Sequence, residues 1–193
     1  MRRAASARRL LGLPPRVAWF YRRAVRTARR KGHAWALAAA TQPSDLKVLI
    51  ELARGARIVV ELGTGPAWTA IGLAIAEPGR RVISYDPVVH EHREEYLRLA
   101  PRDVADRIEF VQAPGSSPRS ATQVDLLFID SLHERDATVA EFNAWRRHLC
   151  PGAAVVIHDY GHPQFPGVAQ AVGELGLEGD VRGGMFVWRA PEP

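Results

Sequence analysis

Four acidic residues, Glu61, Asp86, Asp130 and Asp159, each directly follow an apolar run. The first opens the stretch Glu61-Leu-Gly63-Thr-Gly65-Pro-Ala-Trp-Thr69, after the β-branched segment Ile58-Val59-Val60. Its two glycines allow a sharp turn and a close approach of main chain to a ligand. The helix expected after them presents free N–H groups to an anionic moiety. Asp86 can accept two hydrogen bonds from ribose hydroxyls, the alternative being an Asp-Pro turn with Pro87. Trp68 stands where a dinucleotide-binding Gly-x-Gly-x-x-Gly turn has its third glycine, which argues against a nicotinamide-dependent oxidoreductase. Glu61 would repel a phosphate, but it suits a cofactor that lacks a pyrophosphate and carries a zwitterionic amino-acid end.

These residues need a frame that brings strand ends together. Strands are expected at 57–62, 81–85, 108–112, 124–129 and 153–157, with helices at 16–40, 45–54, 68–77, 90–99, 134–149 and after Pro166. Continuous apolar strands alternating with helices imply an α/β fold, a Rossmann-like, doubly wound, mostly parallel sheet. Gly179 to Arg189 reads as a C-terminal antiparallel hairpin about Gly183-Gly184. In such sheets ligands sit outside the carboxyl ends of the strands, where the four acids fall. The segment between Gln112 and Val124 has room for about one helical turn, so a covering helix is expected to be missing there.

The chain has 193 residues, enough for one domain with a terminal extension. Residues 1–44 hold eleven of the 26 Lys/Arg and none of the 21 Asp/Glu, so the remainder is mildly acidic. The expected organisation is a basic helical arm over 1–43, poorly ordered over 1–13, and a cofactor-binding domain over 44–193. The arm reads as a solvated Arg-rich amphipathic helix, a lid, or a contact for nucleic acid or a membrane surface. The single cysteine, Cys150, excludes an internal disulfide framework and a Cys-based zinc cluster. No apolar stretch reaches the roughly 18 residues needed to span a bilayer, and no secretory signal is evident, so a cytoplasmic location is expected.

The stretch Glu61–Thr69 followed by Asp86 resembles the cofactor site of class I S-adenosylmethionine-dependent methyltransferases. Asp125-Leu-Leu-Phe-Ile-Asp130-Ser-Leu-His133 and Val155-Val-Ile-His158-Asp159-Tyr160 narrow the likeness. They resemble the small O-methyltransferases grouped with catechol O-methyltransferase, and more closely the macrolide-sugar O-methyltransferases and cephalosporin-hydroxylase-like proteins. The resemblance covers roughly residues 45–190.

It implies that Gly63, Gly65 and Thr69 hold the methionine end, with Glu61 beside it. Asp86 would hold the ribose and Ser116 would border the adenine. Asp130, His158 and Asp159 would bind a divalent metal, and His133 would be the general base. The acceptor would be a hydroxyl of a small molecule: a sugar, polyketide or phenol. His158-Asp159 departs from the Glu-Asp or Asp-Asn of the related groups, and the set suits manganese or another transition metal better than magnesium. The same residues also have plain readings: a core hydrogen bond for His158, a loop cap for Asp159 and a surface helix start for His133. Two other functions compete: an RNA methyltransferase using the basic arm, and a cofactor-binding partner protein without catalysis.

Overall fold

The computed structural model describes residues 12–119 and 123–192. The start of the basic arm, including Arg2, Arg3, Arg8 and Arg9, lies outside the described residues.

Seven strands form one sheet: β1 Ile58–Leu62, β2 Arg81–Tyr85, β3 Ile108–Val111, β4 Val124–Ile129, β5 Leu149–Ile157, β6 Asp180–Arg182 and β7 Met185–Arg189. Their order is β3-β2-β1-β4-β5-β7-β6. The first five pair in parallel, and β7 runs antiparallel to both β5 and β6. The order reverses beside β1, the switch point at which open α/β sheets bind ligands. Successive β1 residues serve opposite faces: Val59 joins one buried core and Val60 the other.

Helices α1 Pro15–Lys31, α2 Ala34–Ala39, α3 Pro43–Leu52 and α4 Trp68–Ala76 precede or follow β1. Two short helices, α5 Arg93–Leu97 and α6 Arg102–Ala105, lead to β3, while α7 Arg135–Trp145 and α8 Pro166–Glu174 flank β5. Residues of α1, α3 and α4 build the core on one face, and residues of α7 and α8 the other. Trp68 to Ile75 of α4 are all buried, as expected for the helix that lies deepest against the sheet. Its C-terminal carbonyls are satisfied by two arginines. Buried Arg80 donates to Leu73 O (2.9 Å), Ala56 O (3.1 Å) and Ala53 O, and Arg107 donates to Ala74 O (2.7 Å).

The arm is part of this core. Val17, Phe20, Tyr21, Ala24 and Ala28 recur at helical spacing and are buried, while Arg22, Arg26, Arg29 and Arg30 face water. Tyr21 meets Trp68 edge to face, with ring centroids 5.3 Å apart. The helix expected over 16–40 is interrupted. Gly32 adopts φ 75° and the His33 N–H returns to Ala28 O, ending α1 before α2 starts. The helix expected over 134–149 ends at Trp145, and β5 begins at Leu149 rather than 153, so Pro151-Gly152 lies inside the strand at a register shift between β4 and β5 rather than stopping the helix. The helix expected over 90–99 shrinks to Arg93–Leu97, with His90 diverted to Asp86. No helix is seen between β3 and β4 among the described residues, and none of their helices is long and apolar enough to cross a membrane.

Candidate active site

Main-chain hydrogen bonds staple the ends of four adjacent strands into a row. Gly63 N donates to Tyr85 O (2.8 Å), Asp130 N to Leu62 O (2.8 Å) and His158 N to Ile129 O (2.9 Å). Asp86, Gly63, Asp130 and His158 therefore stand side by side on the carboxyl edge. Gly63 has φ 100°, and a Cβ there would collide with the Asp130 carbonyl, so only glycine fits.

The turn after β1 is tied to the acid after β2. Gly65 N donates to Asp86 Oδ2 (3.1 Å), Val88 N donates to Asp86 Oδ1 (2.9 Å), and His90 Nε2 lies 3.2 Å from Oδ2. Glu61 lies beneath the turn: Ser84 donates to its carboxyl group, and Ser84 Oγ meets Thr64 Oγ1 at 2.6 Å. Burial pushes the Glu61 carboxyl up to about 8, against the pull of the Ser84 hydrogen bond. The Thr69 hydroxyl meets that of Thr41 at 2.8 Å, and Thr41 in turn donates to Asp130 Oδ2 (3.4 Å). Ser116 is exposed on the loop after β3, away from these contacts.

The second half of the site brings Asp130, His133, His158 and Asp159 together. One ligand atom from each lies within 4.8 Å of all the others. His133 Nε2 is 3.1 Å from both Asp130 Oδ1 and Asp159 Oδ2. His158 Nδ1 is 3.0 Å from Asp130 Oδ1 and 3.4 Å from Asp159 Oδ2. Burial opposes charge on both rings, but the two carboxylates outweigh it. His133 is held up at about 9, His158 is raised further, and both aspartates are held below the usual carboxylate range. His133 (φ 57°) and Asp159 (φ 54°) adopt left-handed backbone that non-glycine residues rarely occupy, and each carries a cluster side chain.

The donor set fits a divalent transition metal. One imidazole, His158, and the carboxylates of Asp130 and Asp159 converge with His133 beside them, and buried His158 Nδ1 makes no aligned hydrogen bond despite its close neighbours. A second grouping, His33, His92 and Glu95, does not fit. The two rings lie face to face (3.5 Å, 8°), so their lone pairs lie in separate parallel planes and cannot both point at one ion between them, and Glu95 is already paired with Lys31 at 2.7 Å.

The structure adds residues that the sequence did not point to. Asp45 near the start of α3 reaches 3.6 Å from His158 Nε2, and Phe165 stacks on His133 (4.6 Å, 28°). Glu141 of α7 accepts from Ser131 (2.7 Å) beside the cluster and is raised to about 7 by burial. The isolated acid within Pro43-Ser44-Asp45 was a visible signal only as a helix-start residue.

With this geometry in place, the sequence matches the family described as methyltransferase domain over residues 60–160. The chain belongs to this methyltransferase family. The matched span holds the glycine turn, Asp86 and the whole Asp130–Asp159 cluster. The fold of the methyltransferase is also that of solved structures. Cofactor-bound Rv0187 from MTB is 24% identical with a TM-score of 0.69, covering 86% of this chain and 91% of that one. TomG from Streptomyces achromogenes, an O-methyltransferase of tomaymycin synthesis solved with SAM, is 22% identical (TM-score 0.59; 80% and 82% covered). CalS11, a TDP-rhamnose 3'-O-methyltransferase of calicheamicin biosynthesis, is 18% identical (TM-score 0.62; 75% and 78% covered). No curated protein matches the sequence.

Proposed function

We propose that this methyltransferase moves a methyl group from S-adenosylmethionine to a hydroxyl group of a small molecule, aided by a divalent metal. The carrying observation is the Asp130–His133–His158–Asp159 cluster, set one strand away from the Gly63–Gly65 turn. The cofactor supplies an electrophilic methyl group on a sulfonium, so the protein's task is alignment and proton removal. Gly63, Gly65 and the N-terminus of α4 receive the methionine carboxylate, with the Thr69 hydroxyl beside them. Glu61 supports the turn from below, and Asp86 accepts from the ribose hydroxyls. The exposed loop at Ser116 borders the adenine.

Asp130, His158 and Asp159 would hold the metal, which would supply a Lewis acid able to lower the pKa of the acceptor hydroxyl. With a metal on those carboxylates taking up the negative charge that otherwise keeps His133 protonated, its Nε2 is left to accept the acceptor's proton. Asp130 and Asp159, both 3.1 Å from that atom, stabilise the imidazolium that results. Residues 44–193 carry the catalytic and cofactor-binding groups, and residues 1–43 are the arm, whose α1 packs into their core.

The test is calorimetry with S-adenosylhomocysteine, followed by methyl transfer to a panel of hydroxylated sugars, polyketides and phenols with and without Mn2+. The expected result is cofactor binding, and turnover that a chelator abolishes. Absence of cofactor binding would overturn the proposal.

A further inference from the structure

We propose that Trp35, from the arm, is a cofactor-contacting residue whose free ring face packs on the adenosine half of the bound donor. The inference rests on the donor site proposed above and adds a wall that neither the glycine turn nor Asp86 provides. Trp35 is 51% exposed, unusual for so large an apolar side chain in a short Ala-rich helix. It is held in a defined place all the same. One face stacks on His90 (4.2 Å, 22°), and His90 is fixed by Asp86 Oδ2, the oxygen that also accepts from Gly65 N. The edge of the Trp35 ring, at Cη2, lies 3.7 Å from the point where a Cβ at Gly65 would stand. Trp35, His90, Asp86 and Gly65 thus form a continuous rim on the ribose side of the turn.

The arm pins both ends of α2 while leaving the helix itself lightly held. At one end His33 Nδ1 meets Tyr96 Oη (2.8 Å) and the His33 ring stacks on His92. At the other, the Thr41 hydroxyl meets Thr69, and Tyr21 donates to Thr41 O (2.9 Å). Between them Ala36 is the one buried residue of α2. A planar purine offers the ring face the largest contact, and adenosine is the part of the donor that borders Asp86.

The test uses the full-length protein and its Trp35→Ala, Trp35→Leu and Trp35→Phe variants. Titration calorimetry measures S-adenosylhomocysteine and S-adenosylmethionine, and ligand-free melting curves are recorded alongside. Stacking losses of this kind predict about tenfold weaker binding of both ligands for Trp35→Ala and Trp35→Leu, and near recovery for Trp35→Phe. Melting temperatures should stay close to wild type, since the side chain is half exposed. The fluorescence change on binding should be smaller in Trp35→Phe than in wild type. If wild type binds and Trp35→Ala binds within twofold of it, the Trp35 contact is wrong while the donor site stands. A loss confined to S-adenosylmethionine would place the ring on the sulfonium and overturn the adenosine contact. If wild type itself fails to bind, the donor site falls and this inference with it.

Discussion

Gly63 and Asp130 touch through their main chains: the Asp130 carbonyl occupies the space where a side chain at 63 would begin. That contact seats the first carboxylate of the Asp130–His133–His158–Asp159 cluster against the glycine turn. Gly63→Ala faces both the collision and a φ of 100°, so a loss of about 3 kcal/mol or more is expected. Urea unfolding measures it. A loss below about 1 kcal/mol would show that the two strand ends are not locked together.

Glu61 gives a pH dependence with a definite sign. Its folded pKa is raised to about 8 by burial, well above the usual carboxyl range near 4.3. The folded state therefore keeps a proton that the unfolded chain releases. This contribution is complete below about pH 4.3 and is lost as the pH rises through about 8. Melting temperature should fall between pH 5 and 8.5 in wild type, and the fall should be shallower in Glu61→Gln, whose amide keeps the shape without the ionisation. Equal slopes would remove Glu61 as the cause.

Much of this was legible in the chain. The apolar runs ending at Tyr85 and Ile129 matched the strands to the residue, because fully buried parallel strands are uninterrupted in sequence. The short gap after Gln112 agrees with the described residues there, which form no helix. Element ends set by tertiary contacts were less legible. Gly32 looks like any arm residue until its φ closes α1, and Pro151-Gly152 reads as a helix stop although the helix ends at Trp145 and pairing with β4 has β5 running through both residues. Asp130, His158 and Asp159 stood out because they end apolar runs. Asp45 did not, because its approach to His158 depends on how α3 packs, a relationship no local pattern encodes.

The metal proposal separates the ligands from their support. Asp130→Asn should reduce Mn2+ affinity by about 100-fold, and Asp45→Asn, beside His158 Nε2, by about tenfold. Calorimetry with Mn2+ reads both, and S-adenosylhomocysteine affinity should hold within about twofold in Asp45→Asn. Unchanged Mn2+ binding in Asp130→Asn would remove the cluster as a metal site.

Arg80 tests the frame rather than the chemistry. Its guanidinium serves three carbonyls in a buried position. Arg80→Met fills much of the volume but removes the side-chain donor from Leu73 O and Ala56 O, while Ala53 O keeps its bond from Ala56 N (3.0 Å), at about 2 kcal/mol or more by the usual cost of buried unsatisfied groups. Denaturant midpoints give the comparison, and a Met variant as stable as wild type would mean that water reaches those carbonyls.

Tyr21 seals one side of Trp68, the residue that begins α4 directly after the glycine turn. A chain shortened to start at residue 44 would bare that indole and remove the Thr41 partner of Thr69 at once. Such a fragment is expected to precipitate or to melt far below the intact protein in a thermal scan. The basic segment is therefore better viewed as a keystone than as an appendage, and changes that loosen it will register first as lost solubility.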